Sequence, residues 1–196
     1  MNEIEFLKTA FNSFAGMKSE TFNISEQFWQ VKEYEKGEFY NNYQQVCKHL
    51  GFVIDGVFRT YQLDEKTGDE KNVFFYTNNQ IVVSYASFIN QIPCHFYTQS
   101  MVKSKVIYIH IDNLMKLYQK SHEWERLGRL IAEQASTFAL LRTESLLFLT
   151  PEQRYLDLVS QHPDIMNAIP LYHISSYLGI QGPSLSRIRK RIAEKK

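Results

Sequence analysis

The sequence predicts an α+β protein that consists of a β-barrel or jelly roll, one long helix and a C-terminal all-α helix-turn-helix. β-Prone runs separated by turn residues occupy roughly positions 31–111, which is typical of a small antiparallel barrel. Apolar residues recur at helical spacing through 121–149, with no proline and one internal glycine. Two short helical stretches then flank a glycine turn within 171–192. We therefore predict three parts: a barrel with N-terminal helices at 1–120, a connecting helix at 121–149 and a helix-turn-helix at 150–196.

The composition indicates a globular protein of the cytoplasm. Of the 196 residues, 44% are hydrophobic and 14% aromatic, which argues against disorder. No apolar run approaches the ~20 residues that span a bilayer, and the N-terminal stretch lacks the basic start and apolar core of a signal peptide. The two cysteines, Cys47 and Cys94, are too few for a disulfide scaffold or a four-thiolate cluster.

The net charge of +1 is unevenly distributed. Residues 182–196 carry six basic side chains and one acidic one, so this tail has a charge of +5 and the rest of the chain −4. An acidic body with a basic C-terminal helix is expected of a module that delivers one helix to phosphates.

The chain is predicted to begin with helices and then to change to strands. Positions 1–14 have apolar residues at helical spacing. A short second helix is expected at 25–30, with Ser25 as its N-cap. A strand at 34–39 then enters a glycine turn.

Turn signals divide the barrel into strands. The runs 49–54 and 57–63 flank the Asp55-Gly56 pair, which predicts a tight hairpin. A second hairpin is expected around Gly68, and two more strands at 99–111.

A short helix is expected at 85–90, and a long one at 121–149. Six of the eight heptad a and d positions of the long helix are apolar; the eight are Trp124, Ile131, Phe138 and Ser145 at a, and Leu127, Gln134, Leu141 and Phe148 at d. The helix either packs on the barrel or pairs with its copy in a homodimer. We favour the homodimer, because Ala132, Ala135 and Ala139 offer a second apolar face to the barrel.

The C-terminal part begins with Thr150 as an N-cap and Pro151 at the first helical position. Gly179 lies where the chain must turn sharply, and Pro183 restarts a helix without losing a hydrogen bond. In the last helix an apolar stripe runs beside a polar one; these are Leu185, Ile188 and Ile192, and Ser184, Arg187 and Arg191 with Lys190 next to them.

Two stripes on one short helix are what a DNA recognition helix needs. The apolar stripe binds the helix to its own module, and the polar stripe offers donors to bases and phosphates in the major groove. One alternative is an ordinary helical hairpin whose basic face is solvated. The corresponding functional alternative is a ligand-sensing or protein-scaffolding module whose helix-turn-helix does not bind DNA.

This order of parts resembles the Crp/Fnr family of bacterial transcription regulators. Residues 36–38 (Lys-Gly-Glu), 54–57 (Ile-Asp-Gly-Val) and the Gly68 turn look like that family's barrel of cyclic-nucleotide-binding type. IxxYLGIxxxSLSRIRK, at 174–190, is similar to the recognition motif of one subgroup. The resemblance implies a homodimer that binds a two-fold-related operator in double-stranded DNA and contacts RNA polymerase. Many relatives continue into a β-wing; this chain ends at Lys196, either because its subgroup lacks a full wing or because the sequence is cut.

The resemblance also assigns contacts to the last helix. The family's central recognition arginine matches Arg187, whose planar guanidinium suits a guanine edge. Two family positions that usually read bases fall on Gly182 and Pro183, which have no side-chain donor. Further base contacts are therefore expected from Gln181, Ser184 and Ser186, and phosphate contacts from Lys190 and Arg191.

The effector site departs from the family pattern. Members that bind cyclic AMP carry a Gly-Glu pair before a short helix and an Arg-Ser or Arg-Thr pair after it; the corresponding residues here are Val83, Ser84, Cys94 and His95. Without an arginine for the phosphate, cyclic AMP is expected to bind poorly or not at all. The barrel then holds another small-molecule effector or none. The cysteine cluster of oxygen-sensing members is absent, so no iron–sulfur cofactor is expected.

No pattern in the sequence indicates an enzyme, and we expect no catalytic residues. The carboxylates form no recognisable pair, and neither a glycine-rich phosphate loop nor a nucleophile elbow occurs. The six histidines are scattered without metal-ligand spacing, so no metal site is expected. Only the neighbours Cys94 and His95 would merit a test for haem or metal.

Overall fold

The computed structural model describes residues 2–194, so Met1 and the last two lysines of the predicted basic tail lie outside the described residues. The chain begins with helix α1 (Glu3–Ala15) and the short helix α2 (Ser19–Asn23). The apolar spacing that predicts α1 also predicts its packing, since Leu7 and Phe11 are buried against the barrel core.

The helical piece predicted at 25–30 is present but shorter, and the predicted capping role of Ser25 is wrong. A 3₁₀ turn spans Glu26–Phe28, and strand β1 already begins at Trp29. Ser25 makes no capping hydrogen bond. Its buried hydroxyl donates to the carbonyl of Phe22 and accepts from the indole N–H of Trp29. The serine that suggested a cap therefore accepts the hydrogen bond of a buried indole N–H.

In the part of the chain that the structure describes, eight antiparallel strands form two four-stranded sheets, in the orders β1-β8-β3-β6 and β2-β7-β4-β5. The strands are β1 (Trp29–Tyr34), β2 (Phe39–Asn41), β3 (His49–Asp55), β4 (Phe58–Leu63), β5 (Glu70–Tyr76), β6 (Ile81–Val82), β7 (Tyr97–Ser100) and β8 (Ser104–His110). Helix α3 (Tyr85–Asn90) connects β6 to β7, as predicted. Buried residues from both sheets, such as Phe58 and Val106, share one interior core. We call these eight strands the barrel.

The Asp55-Gly56 pair does not form the predicted hairpin. β3 pairs with β6 and β8, whereas β4 pairs with β5 and β7, so the chain changes sheets at this point. Gly56 has a φ of +118°, and a Cβ atom on it would lie 2.0 Å from Ser104 Oγ. A sheet corner and a hairpin both need such a glycine, so the pair alone does not distinguish them. The hairpin predicted around Gly68 is confirmed, because β4 and β5 pair on either side of it.

Helix α4 (Ile111–Lys120) leads into the long helix α5 (His122–Phe148). Trp124, Leu127 and Ile131 are buried in the core that α5 shares with α1 and the barrel. The first half of the predicted heptad seam is thus covered by the chain's own barrel, and the prediction that the alanine face does this is wrong. Large side chains fill that core where alanines would leave space. From 132 to 148 no residue of α5 is buried.

Four helices follow α5 within the described residues: α6 (Pro151–Gln161), α7 (Pro163–Ala168), α8 (Leu171–Leu178) and α9 (Gly182–Glu194). Thr150 caps α6 as predicted, in a reciprocal capping box with Gln153. Leu158, Ile174 and Leu185 share a core with Val57 of the barrel. Within residues 2–194 no strand follows β8, and none of the helices described there is long and apolar enough to cross a membrane.

Candidate functional site

Helices α8 and α9 meet at a turn whose geometry follows from its residues. Gly179 ends α8 in the left-handed region at a φ of +68°, and its amide donates back to α8 carbonyls. The next amide, of Ile180, donates to the carbonyl of Ser175, which is itself buried. Pro183 lies in the first turn of α9 and has no N–H to leave unsatisfied.

Helix α9 has one buried face and one exposed face. Leu185 is 1% exposed and Ile188 7% exposed. Arg187, Arg189 and Lys190 are exposed. Among the described residues Arg187 has neither a hydrogen-bond partner nor an ion-pair partner, so its guanidinium is available to a ligand.

The remaining predicted contact residues lie at the same end of α9 but differ in their surroundings. Gln181 is exposed in the turn, and Ser184 is half-buried. The hydroxyl of Ser186 donates to the carbonyl of Gly182 at 3.3 Å, within its own helix. Its lone pairs remain able to accept a hydrogen bond.

Arg191, which the sequence predicts to hold a phosphate, is paired within the chain. Its guanidinium contacts the carboxylate of Glu152 in the first turn of α6. Lys190 lies 3.9 Å from Glu194 in the same helix. Arg191 and Arg187 line a groove of about 360 Å³ that also includes Thr150 at the start of α6. The periodicity of α9 could not indicate this pair, because its members are 39 positions apart.

The four predicted effector positions line one cleft between the barrel, α5 and the C-terminal helices. The cleft has a volume of about 1470 Å³, and Val83, Ser84, Cys94 and His95 all contribute to its wall. Val83 and Cys94 are buried, whereas His95 is exposed. The hydroxyl oxygen of Ser84 is buried without a hydrogen-bond partner among the described residues.

The two arginines of the cleft wall, Arg142 and Arg154, come from α5 and α6 and not from the barrel. The guanidinium of Arg142 lies 3.9 Å from the ring centroid of Tyr177 and donates to its carbonyl oxygen. Arg154 donates to the carbonyl of Leu149 at 2.8 Å, beyond the end of α5. Both cations therefore cap carbonyls at helix ends, a favourable place for positive charge.

Tyrosines fill the inside of the barrel. The rings of Tyr34, Tyr40 and Phe58 lie 5.4 to 6.2 Å apart, centroid to centroid. The hydroxyl of Tyr76 donates to the carbonyl of Val83 at 3.3 Å, and burial raises the pKa of Tyr76 to about 12. The chain's own side chains thus occupy this part of the barrel interior.

The second half of α5 is an uncovered apolar surface. Its exposed large apolar residues are Phe138, Leu140, Leu141, Leu146, Leu147 and Phe148. Leu147 is 68% exposed and Phe148 77%. Phe138, Leu141 and Phe148 line the cleft, whereas Leu140 and Leu147 lie on the other side of the helix. Exposed apolar side chains in this number mark interaction sites on soluble proteins.

Comparison of the sequence with protein-family models gave no match, and comparison with curated proteins gave no significant match. Solved structures do match. FixK2 from Bradyrhizobium japonicum superposes with a TM-score of 0.71 at 15% identity, over 85% of each chain. CLP from Xanthomonas campestris, a c-di-GMP-responsive global regulator, gives 0.69 at 16% identity, over 91% of this chain and 93% of that one. A protein from Eubacterium rectale assigned to the Crp/Fnr family of transcriptional regulators gives 0.73 at 14% identity, over 95% and 88%.

The chain has the Crp/Fnr fold. Identities of 14–16% establish the fold alone, and at that level the predicted resemblance is confirmed.

Within this Crp/Fnr fold, a buried polar cluster joins the barrel to α8. Arg59 on β4 is 4% exposed, and His173 on α8 is 3% exposed. The guanidinium of Arg59 donates to both carboxylate oxygens of Glu70 at 2.5 and 3.0 Å, to Gln99 at 2.7 Å and to His173 Nδ1 at 2.8 Å. Because arginine only donates, Nδ1 of His173 is the acceptor and the ring proton is on Nε2.

The electrostatics of the cluster keep His173 neutral and Glu70 ionised. Burial, and then the charge of Arg59, lower the pKa of His173 to about 4. The hydrogen bond from Arg59 lowers the pKa of Glu70. Sequence reasoning missed this cluster, because Arg59 and His173 are 114 positions apart. The one available signal is a charged residue within a strand that is otherwise largely buried.

Proposed function

We propose that this protein is a homodimeric, sequence-specific DNA-binding transcription regulator of the Crp/Fnr type, whose barrel has lost the cyclic-AMP-binding residues. We propose the same division into 1–120, 121–149 and 150–196, with DNA binding in the last part. The observation that carries the proposal is the exposed guanidinium of Arg187, which has no partner among residues 2–194, on a helix whose opposite face, Leu185 and Ile188, is buried.

The geometry of α9 suits major-groove recognition. A helix enters the groove with its exposed face, so donors there meet base edges, while buried residues keep the helix attached to its support. Arg187 is proposed to bind a guanine through O6 and N7, with Gln181, Ser184 and Ser186 completing base contacts. Lys190 and Arg191 are proposed to hold phosphates. Arg191 then shares or leaves Glu152 on binding, because a phosphate competes with the carboxylate.

The uncovered half of α5 supports the homodimer. A second copy would present the same apolar face, so a two-fold axis along α5 would cover both at once. Two recognition helices related by that axis would meet half-sites about 34 Å apart. Contact with RNA polymerase is part of the proposal, because a Crp/Fnr-type regulator acts through it. Two of the matched structures, from Xanthomonas campestris and Eubacterium rectale, are described as those of regulators, and we propose no catalytic role.

The cleft and the barrel interior support the proposed loss of cyclic AMP binding. The cleft's Arg142 and Arg154 cap helix ends, and tyrosines occupy the interior. A cyclic phosphate would have to compete with these carbonyl contacts for a counter-charge, and no arginine of the barrel is placed to receive it.

The test is a titration of fluorescent DNA with the protein, at two salt concentrations. Sequences selected from a random library are compared with unselected DNA. Arg187→Ala should lower the affinity for the selected sequence by roughly 1–3 kcal/mol and relax its sequence preference. Arg189→Ala, which removes the same charge from the flank of α9, is the matched control and should keep that preference. An unchanged preference in Arg187→Ala would contradict the proposal.

A further inference from the structure

The C-terminal helices are attached to the barrel by more than their covalent connection to α5. We propose that Arg59 is a positioning residue that acts through His173: it holds α8 against the barrel and so fixes the direction in which α9 presents Arg187. The consequence for DNA rests on the proposed function. The attachment itself does not, and it can be measured without DNA.

Polar contacts bind α8 to two neighbouring strands. Nδ1 of His173 lies 2.8 Å from the guanidinium of Arg59 and 3.3 Å from the side-chain amide of Asn72. The hydroxyl of Ser176 donates to the carbonyl of Glu70 at 2.6 Å and accepts from the backbone amide of Asn72 at 3.0 Å. These four hydrogen bonds join α8 to the barrel through side chains and backbone alike.

The arrangement of donors on Arg59 links the barrel to α8. Its bidentate pair with Glu70 lies within the barrel, but NH1 also points at His173. A buried guanidinium needs acceptors for all of its N–H groups, and loss of one leaves a charged donor unsatisfied. Departure of α8 removes the acceptor that His173 supplies at 2.8 Å and leaves this guanidinium nitrogen with Glu70 and a longer contact of 3.4 Å to the side-chain oxygen of Asn72. The charge-assisted hydrogen bond to His173 therefore favours the attached arrangement.

Attachment of α8 determines the direction of α9, because the two helices behave as one unit. Ile174 and Leu178 of α8 share a core with Leu185 and Ile188 of α9. Gly179 closes the turn between them with backbone hydrogen bonds. In a dimer the direction of α9 sets the separation of the two recognition helices, and so the spacing of the half-sites that they can reach.

The first measurement is amide hydrogen exchange of Asn72, whose N–H donates directly to Ser176 across the contact. Two variants at His173 are compared with the wild type. His173→Leu is apolar and has no acceptor, whereas His173→Asn keeps an acceptor at the position of Nδ1. We expect exchange at Asn72 to be at least about tenfold faster in His173→Leu and to remain slow in His173→Asn. Equal exchange in the wild type and His173→Leu would overturn the proposal.

The second measurement is DNA affinity over a series of operators that differ only in half-site spacing. We expect the wild type to prefer one spacing and His173→Leu to bind that operator about tenfold more weakly, as when only a tenth of the molecules have the right orientation. The preference among spacings should flatten in His173→Leu and return in His173→Asn. A sharp preference retained by His173→Leu would overturn the positioning role.

Failure of the proposed function and failure of the positioning role give different results. If neither the wild type nor any variant binds DNA, the proposed function fails. Exchange at Asn72 in the His173 variants and in Arg59→Gln still decides whether the contact between Arg59 and His173 holds α8. If His173→Leu does not fold, Arg59→Gln replaces it in both measurements. It shortens the side chain and removes the charge, and the same faster exchange and flattened preference are expected.

Discussion

Acidification should weaken the contact between the barrel and α8 through one side chain, His173. Burial and the charge of Arg59 lower its pKa from 6.5 to about 4. The unfolded chain therefore takes up a proton at a higher pH than the native chain does. The stability that neutral His173 allows is fully present above about pH 6.5 and is lost as the pH falls from there towards 4.

The two pKa values set the size of the effect. Between about pH 7.5 and pH 5, linkage predicts a loss of about 2 kcal/mol in the free energy of unfolding from this residue. The charged groups that face His173 are Arg59 and Glu70. Glu70 does not titrate in this range, because the hydrogen bond from Arg59 lowers its pKa below the ordinary 4.5. The loss therefore belongs to the histidine.

The assay is urea unfolding of the wild type and of His173→Asn at both pH values. The wild type should lose about 2 kcal/mol more than the variant, which has no titrating group at this position. His49 and His162 also have lowered pKa values, chiefly through burial, but they contribute equally to both proteins and cancel in the comparison. Equal losses in the two proteins would refute the reasoning.

Three further outcomes are expected. Gly56→Ala should destabilise the fold by about 3 kcal/mol or more in urea unfolding, because it combines a positive φ with a Cβ overlapping Ser104; a change below about 1 kcal/mol speaks against the corner geometry. Leu147→Glu should turn a dimer into a monomer in analytical ultracentrifugation, because it places a charge at an exposed apolar position of α5; a dimer that survives Leu147→Glu argues against α5 as its interface. Calorimetric titration with cyclic AMP should show no micromolar binding, and micromolar binding would contradict the interpretation of Val83 and Cys94.

The sequence predicts best what depends on neighbouring residues. The capping box at Thr150, the short helix α3 and the hairpin around Gly68 follow from spacings of a few positions. The Asp55-Gly56 corner does not, because the partner of β4 is chosen by the packing of two whole sheets. A local turn signal says that the chain bends, and only the three-dimensional pairing says whether it returns beside itself.

The sequence also predicts one part of the candidate DNA interface and not another. Both stripes of α9 follow from its period, so the exposure of Arg187 and the burial of Leu185 agree with the sequence pattern. The partner of Arg191 cannot be predicted from that period, because Glu152 belongs to a different helix. The same holds for Arg59, whose partner His173 belongs to another part of the chain. Charged residues usually face solvent, and a distant partner in the fold can override that preference.

The long helix shows how one element can serve two partners. Up to Ile131 its large side chains complete the barrel core, and beyond that point its apolar residues are uncovered. The change occurs beside the cleft, whose wall combines Phe138 and Leu141 of α5 with Leu158 of α6 and Tyr177 of α8. A molecule that fills the cleft would therefore contact the proposed dimer face and the attached helix-turn-helix at once. Since Arg59 already holds α8 at the barrel, such a molecule needs only to favour or oppose that one contact in order to change the direction of α9.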